Sequence, residues 1–191
     1  MIKDDIIRKI GELYAPLSDD CQEELVEHLR ILTLAKGEVI VREGQYADKA
    51  YFMLHGCARA YYLKDGKDIS DWFAFEYEFI SSIVSFFGNG PSPHYIESLQ
   101  DSLVMELSRD SIEKLSAKYH DFEHLIRIVV TKTMLSQRER IAAILFQTAR
   151  ERYEQMLQIR PDIVNRVPLM HIASYLGMTL ETLSRIRSVR K

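Results

Sequence analysis

Two charged side chains four residues apart, Glu181 and Arg185, lie in the stretch best equipped for specific chemistry. At helical spacing they share one face. An arginine fork there can make two parallel hydrogen bonds to the edge of guanine, and a carboxylate can accept from cytosine. Thr179, Ser184, Arg187, Arg190 and Lys191 add hydroxyls and permanent cations of the kind that bond phosphate oxygens. Leu180 and Ser188 complete the same outward face. Read one at a time, Glu181 is equally a favourable charge near a helix N-terminus, and the terminal cations are equally a solvated tail.

The elements that must hold this face are legible around it. Ile172 and Leu176 are apolar at i,i+4, and Ala173 is small enough for a second helix to approach closely. Gly177 suits a tight turn at positive φ. Met178 points inward, Thr179 can cap the next helix, and Leu183 and Ile186 form its inner side at i,i+3. Together residues 169–187 satisfy the requirements of a helix-turn-helix.

Upstream the pattern is different. Ile6 to Tyr14 and Ser18 to Leu29 have helical spacing. Short β-prone runs follow at Leu32–Leu34, Val39–Val41, Tyr51–Leu54, Ala58–Leu63, Ile69–Phe73, Tyr95–Leu99 and Leu103–Leu107. Lys64-Asp65-Gly66-Lys67 is a strong hairpin signal, and Gly88 to Pro93 must be a loop. This spacing predicts an antiparallel barrel or jelly roll, in an α+β chain. Helical periodicity returns over Arg109 to Lys118 and again from Phe122 to about Gln137. Leu125, Ile126, Ile128, Val129 and Val130 occupy more than one stripe, so this helix needs partners on two sides. One is the barrel, and the economical second is the same helix of another subunit, giving a homodimer held by residues 122–137. Arg138-Glu139-Arg140 reads as a hinge, so domains are expected at 1–137 and 138–191, with a further helix over Ile141 to Leu157.

The charge is uneven. Residues 1–131 carry 14 Lys+Arg against 23 Asp+Glu, net −9, whereas residues 132–191 carry 11 against 5, net +6. An acidic body and a basic contact module fit that division. The 47% hydrophobic content supports a real core and excludes general disorder. No apolar run reaches the roughly 20 residues of a membrane helix. With no leader-like segment and only Cys21 and Cys57, a cytoplasmic setting without structural disulfides is expected.

Other chemistries find too few groups. His120 and His124 share a face at i,i+4 but lack a third ligand, and two cysteines cannot hold an iron–sulfur cluster. His55 and His94 are isolated, and no phosphate loop or nucleophile triad stands out. An enzyme, a metal site and a cofactor are therefore not expected.

Barrel, long helix and helix-turn-helix in this order resemble the Crp/Fnr transcription regulators over most of the chain. Lys36-Gly37-Glu38-Val39-Ile40, Glu43-Gly44, Tyr51-Phe52-Met53-Leu54 and Gly56 look like the opening strands of a cyclic-nucleotide-binding barrel. Residues 172–179 with Glu181 to Ile186 look like the family's DNA-reading motif, the more specific match. The resemblance implies a dimeric regulator of double-stranded DNA with a possible small-molecule effector; the alternative is a ligand-sensing or protein-interaction module that binds no DNA.

Three departures accompany it. Relatives that bind cyclic AMP carry Gly-Glu and then Arg-Ser or Arg-Thr in a phosphate-binding cassette. Ser81-Ser82 and His94-Tyr95 stand there instead, so these four residues form the candidate effector pocket without a permanent cation. Trp72, Phe73, Phe75, Phe79, Phe86, Phe87 and Tyr95 offer it more apolar walls. Leu180 replaces an arginine common among relatives, and the segment from Pro161 to Pro168 is too short for the usual wing.

Overall fold

A computed structural model describes residues 2–188. Two helices open the chain, α1 (Ile2–Leu13) and α2 (Asp19–His28). Eight strands follow: β1 (Arg30–Leu34), β2 (Val39–Val41), β3 (Lys49–His55), β4 (Ala58–Lys64), β5 (Lys67–Ala74), β6 (Phe79–Ser81), β7 (Tyr95–Ser98) and β8 (Ser102–Ser108). A short helix, α3 (Ile83–Gly88), lies between β6 and β7. The strands form two antiparallel sheets, ordered β1-β8-β3-β6 and β2-β7-β4-β5. The seven expected strands are all present; β6 and α3 were not foreseen, because three residues and six carry too little periodicity to register.

The β4–β5 hairpin turns where Asp65 and Gly66 both take positive φ, 52° and 71°, the geometry that matches the twist of paired strands. Gly56 sits at φ 96°, and a Cβ there would lie 2.1 Å from Ser102 Oγ, so this turn admits only glycine. Between the sheets, Leu34, Val41, Tyr51, Met53, Ile80 and Ile96 fill the barrel with side chains.

Helix α4 (Arg109–Lys118) leads into α5 (His120–Phe146), 27 residues and about 40 Å long. The expected hinge at 138–140 is helix throughout. None of those three residues breaks a helix, and Arg140 is anchored from outside, its guanidinium bonding Asp71 and the carbonyls of Ser70 and Tyr175. The chain breaks instead at Gln147-Thr148. Thr148 Oγ1 accepts from the Glu151 amide while Glu151 accepts from the Thr148 amide, a capping box that starts α6 (Ala149–Ile159). The helix expected over 141–157 is thus the end of α5 and most of α6.

Leu125 is buried inside the monomer, in one core with Leu25, Phe52, Met105 and Phe122, and Ile126 and Val129 pack against that core. The expected dimer residues are therefore largely spent on the barrel. The uncovered apolar side of α5 begins at Val130 and continues through Met134, Leu135, Ile141 and Leu145 to Phe146. It lies further along the helix than periodicity over 122–137 suggested. Among the described residues, no helix is long and apolar enough to cross a membrane.

Candidate nucleic-acid interface and effector pocket

After α6, the short helix α7 (Ile163–Arg166) occupies the place between Pro161 and Pro168 where a wing hairpin was expected to be reduced or absent. Then come α8 (Leu169–Tyr175) and α9 (Leu180–Ser188). Gly177 turns between them at φ 63°, and the amides of Gly177 and Met178 reach back to the carbonyls of Ser174 and Ala173. Thr179 Oγ1 accepts from the Thr182 amide at 3.2 Å and so caps α9. Ile172, Ala173, Leu176 and Leu183 are buried, and Ile186 packs on them.

With that inner side fixed, the outer side of α9 is fixed too. Thr179, Leu180, Glu181, Ser184, Arg185, Arg187 and Ser188 are all exposed, as the spacing requires. Neither Arg185 nor Arg187 has a salt-bridge partner among the described residues. The Glu181 carboxyl is held below its usual range, chiefly by its own backbone amide and the Thr179 hydroxyl, with Arg185 adding to this. It thus serves the helix start while facing outward. Arg190 and Lys191 lie outside the described residues.

What the sequence did not reveal is that α8 is docked on the barrel. The Ser174 hydroxyl accepts from the Ser70 amide and donates to the Asp68 carbonyl, covering the open edge of β5. Phe73, Phe75, Cys57 and Leu99 of the barrel share one core with Tyr153, Met156, Ile163, Ile172 and Leu183. Cys57 sits just before β4 in this junction, where burial pushes its thiol up to about 12.

A ring of charges surrounds that core. Arg59 is 3% exposed and bonds Asp68 twice (2.6 and 2.7 Å), Glu97 (2.6 Å) and His171 Nδ1 (2.8 Å). Burial alone would lower its pKa, but the bonds to Asp68 and Glu97 outweigh that and raise it. His171 is pushed down, first by burial and then by Arg59, so its neutral ring accepts from the guanidinium. Arg166 bonds Glu76, Gln100 and the Gly56 carbonyl. Burial works against the Glu76 carboxylate, yet Arg166 and two backbone amides bring it down to about 2. Arg160–Glu78 and Arg140–Asp71 complete the ring. Local pattern gives no warning of these pairs, whose members lie 69 to 90 positions apart where they bridge α5, α6 or α7 to the barrel.

The four cassette residues do not converge. Ser82 donates to Ser92 Oγ at 2.8 Å, and Ser92 donates to the His94 carbonyl. His94 is 4% exposed, edge-on to Tyr62, and neither ring nitrogen has a hydrogen-bond partner. Burial lowers its pKa against an opposing pull from Asp71, so it stands there as a neutral ring. Tyr95 stacks on Tyr61 at 5.2 Å. Only Ser81 faces a cavity, one of about 340 Å3 between α5 and the barrel. Of the aromatics, Trp72, Phe79, Phe86 and Phe87 line that cavity, whereas Phe73 and Phe75 belong to the junction with α8. Among the described residues no group of three or more His, Cys, Asp or Glu side chains is placed to hold a metal.

Residues 31–119 match the family model of the cyclic nucleotide-binding domain. The fold of the whole chain is shared with several solved structures. FixK2 from Bradyrhizobium japonicum superimposes with a TM-score of 0.73 at 23% identity, over 84% of this chain and 83% of that one. The c-di-GMP responsive global regulator CLP of Xanthomonas campestris gives 0.68 at 14% identity, over 91% and 92%. The catabolite activator protein of Thermus thermophilus gives 0.58 at 14% identity, over 95% and 85%. No curated protein matches the chain in sequence. The matched segment keeps the barrel but has a cassette without a permanent cation, and it is followed by helices that present a separate polar face.

Proposed function

We propose that this chain is a sequence-specific, DNA-binding transcription regulator that works as a symmetric homodimer and does not respond to cyclic AMP. The observation that carries the reading is α9, whose apolar side packs inward through buried Leu183 and partly buried Ile186 while Thr179, Glu181, Ser184, Arg185 and Arg187 face solvent. Such a helix fits the major groove, with Arg185 on a guanine edge and Glu181 beside it. The net charge of +6 after residue 131 supports the same approach. Arg190 and Lys191 are assigned to phosphate contacts with Arg187.

Dimerisation is assigned to α5. Val130, Met134, Ile141 and Leu145 recur at spacings of four and seven and are 42%, 62%, 55% and 67% exposed, the pattern of a helix–helix seam. A two-fold dimer would read a near-palindrome with half-site centres about 10–10.5 base pairs apart, or a multiple of that. Domains at 1–137 and 138–191 remain the functional division, although α5 runs through their boundary.

Against cyclic AMP stand a barrel interior filled by its own side chains and a cassette with no permanent cation. A buried phosphate charge without a partner is costly. Calorimetry with cyclic AMP at pH 7.5 is expected to show no micromolar binding.

Selection from random duplexes, followed by binding across a salt series, tests the central reading. A near-palindromic motif should be enriched, and Arg185→Ala should cost about 1–3 kcal/mol and relax one position per half-site. Arg187→Ala should weaken all sequences alike and reduce the salt slope. An unenriched pool, or a motif indifferent to Arg185→Ala, would overturn it.

A further inference from the structure

The cavity between α5 and the barrel reaches deep into the fold. Leu25, Met105, Phe122 and Leu125 at its back are 2% exposed or less. No charged side chain lines it. One polar group is conspicuous: the Ser81 side chain lies within it, more than nine-tenths buried, and its hydroxyl has no partner among the described residues. Thr133 and Gln137 are also in the wall, but the Thr133 hydroxyl already donates to the Val129 carbonyl at 3.0 Å, and Gln137 is only partly buried. A water in such a space finds too few polar partners, and an empty one forfeits contact on every wall.

We propose that this cavity binds an uncharged, mainly apolar small molecule carrying one hydrogen-bonding group, which the Ser81 hydroxyl meets. About 340 Å3 is the size of a small-ligand site. The absence of charge in the lining selects against ionised ligands, whose desolvation nothing here offsets. A second copy of α5 is the rival occupant. Packed helices keep their axes about 8–10 Å apart. A partner seated on Val130 and Met134 at the mouth therefore covers the cavity without reaching Leu25 and Met105 at its back. An occupied site then lies beneath the α5 seam, a placement that rests on the regulator reading; the site itself does not.

A matched pair of fluorescent probes tests it on the full chain. N-phenyl-1-naphthylamine is apolar with a single N–H; 8-anilinonaphthalene-1-sulfonate has the same body plus an anionic group. The neutral probe should bind once per chain at about micromolar concentration, and the sulfonate at least tenfold more weakly. Thr133→Trp, which fills the mouth, should weaken the neutral probe at least tenfold, and Ser81→Ala severalfold, with circular dichroism unchanged. If Thr133→Trp does not fold, Val129→Phe fills the same space and should have the same effect. Leu145→Glu, on the seam but outside the cavity, should leave binding intact. Equal binding of the two probes, or neutral-probe binding that survives the filling variant or is lost in Leu145→Glu, would overturn the site. DNA selection without any probe is scored separately, so failure of the regulator reading leaves these outcomes distinct.

Discussion

The barrel is held by two junctions built on different physics. Toward α1, α2 and the first half of α5 the core is apolar, with Ile7, Leu25, Phe52, Phe122 and Leu125 together, and polar contacts such as Tyr119 to Glu24 lie at its rim. Toward α6, α7 and α8 an apolar centre is ringed by Arg59, Arg140, Arg160 and Arg166, each with a carboxylate across or beside the junction. Apolar burial stabilises without specifying direction. Paired charges add little net stability but penalise every arrangement in which one of them is buried alone. The first junction thus supplies cohesion, and the second fixes the orientation in which α8 and α9 are presented and makes it sensitive to pH.

The contrast is broken most severely at Arg59. Arg59→Ala leaves Asp68 and Glu97 facing each other without their cation and should cost about 3–5 kcal/mol in urea unfolding. In the apolar junction Leu125→Ala should cost about 2–5 kcal/mol through the cavity it opens. Unlike the Arg59 change, it should leave the dock of α8 intact, as read by protease cleavage near Gln147-Thr148. Equal cleavage in the two variants would erase the distinction.

Acid should attack the charged junction first. Glu76 is depressed to about 2 from an ordinary 4.5, so its contribution is full above pH 4.5 and is lost as pH falls from there toward 2. His171 is shifted below its ordinary 6.5; it favours the dock while neutral, and that contribution falls away as pH drops below 6.5 toward its lowered folded value. Cleavage at 147–148 should therefore rise on acidification before the barrel melts, and Arg166→Met should flatten the part between pH 4.5 and 2. A cleavage profile independent of pH would remove the ionic account. The smallest effect belongs to Arg160→Ala, whose pair with Glu78 is well exposed and should contribute about 0.2–1 kcal/mol. Urea unfolding in low and high salt would measure it.

The strands, α4 and the two sides of α9 were readable because each is set by periodicity and turn chemistry within a dozen residues. Gly66, Gly177 and Thr179 act on their immediate neighbours. The hinge expected at 138–140 is absent for the opposite reason: a charged triplet does not by itself break a helix, and Arg140 is held by Asp71 and Tyr175 from elsewhere in the fold. The true break carried a local signal, Thr148 three residues before Glu151, and was legible in principle.

By itself, then, the sequence determined the antiparallel barrel, the first half of α5, the α8–turn–α9 pair and the face α9 turns outward, because backbone propensity and the burial of apolar stripes are local constraints. Only the tertiary structure decided which side of α5 stays uncovered, that α8 docks on β5, and that Ser81 leaves its cassette neighbours to face an apolar cavity. Each of those depends on side chains that meet from distant positions, such as Arg59 with His171, 112 residues apart, and no pattern along the chain encodes a distance between segments that only packing brings together.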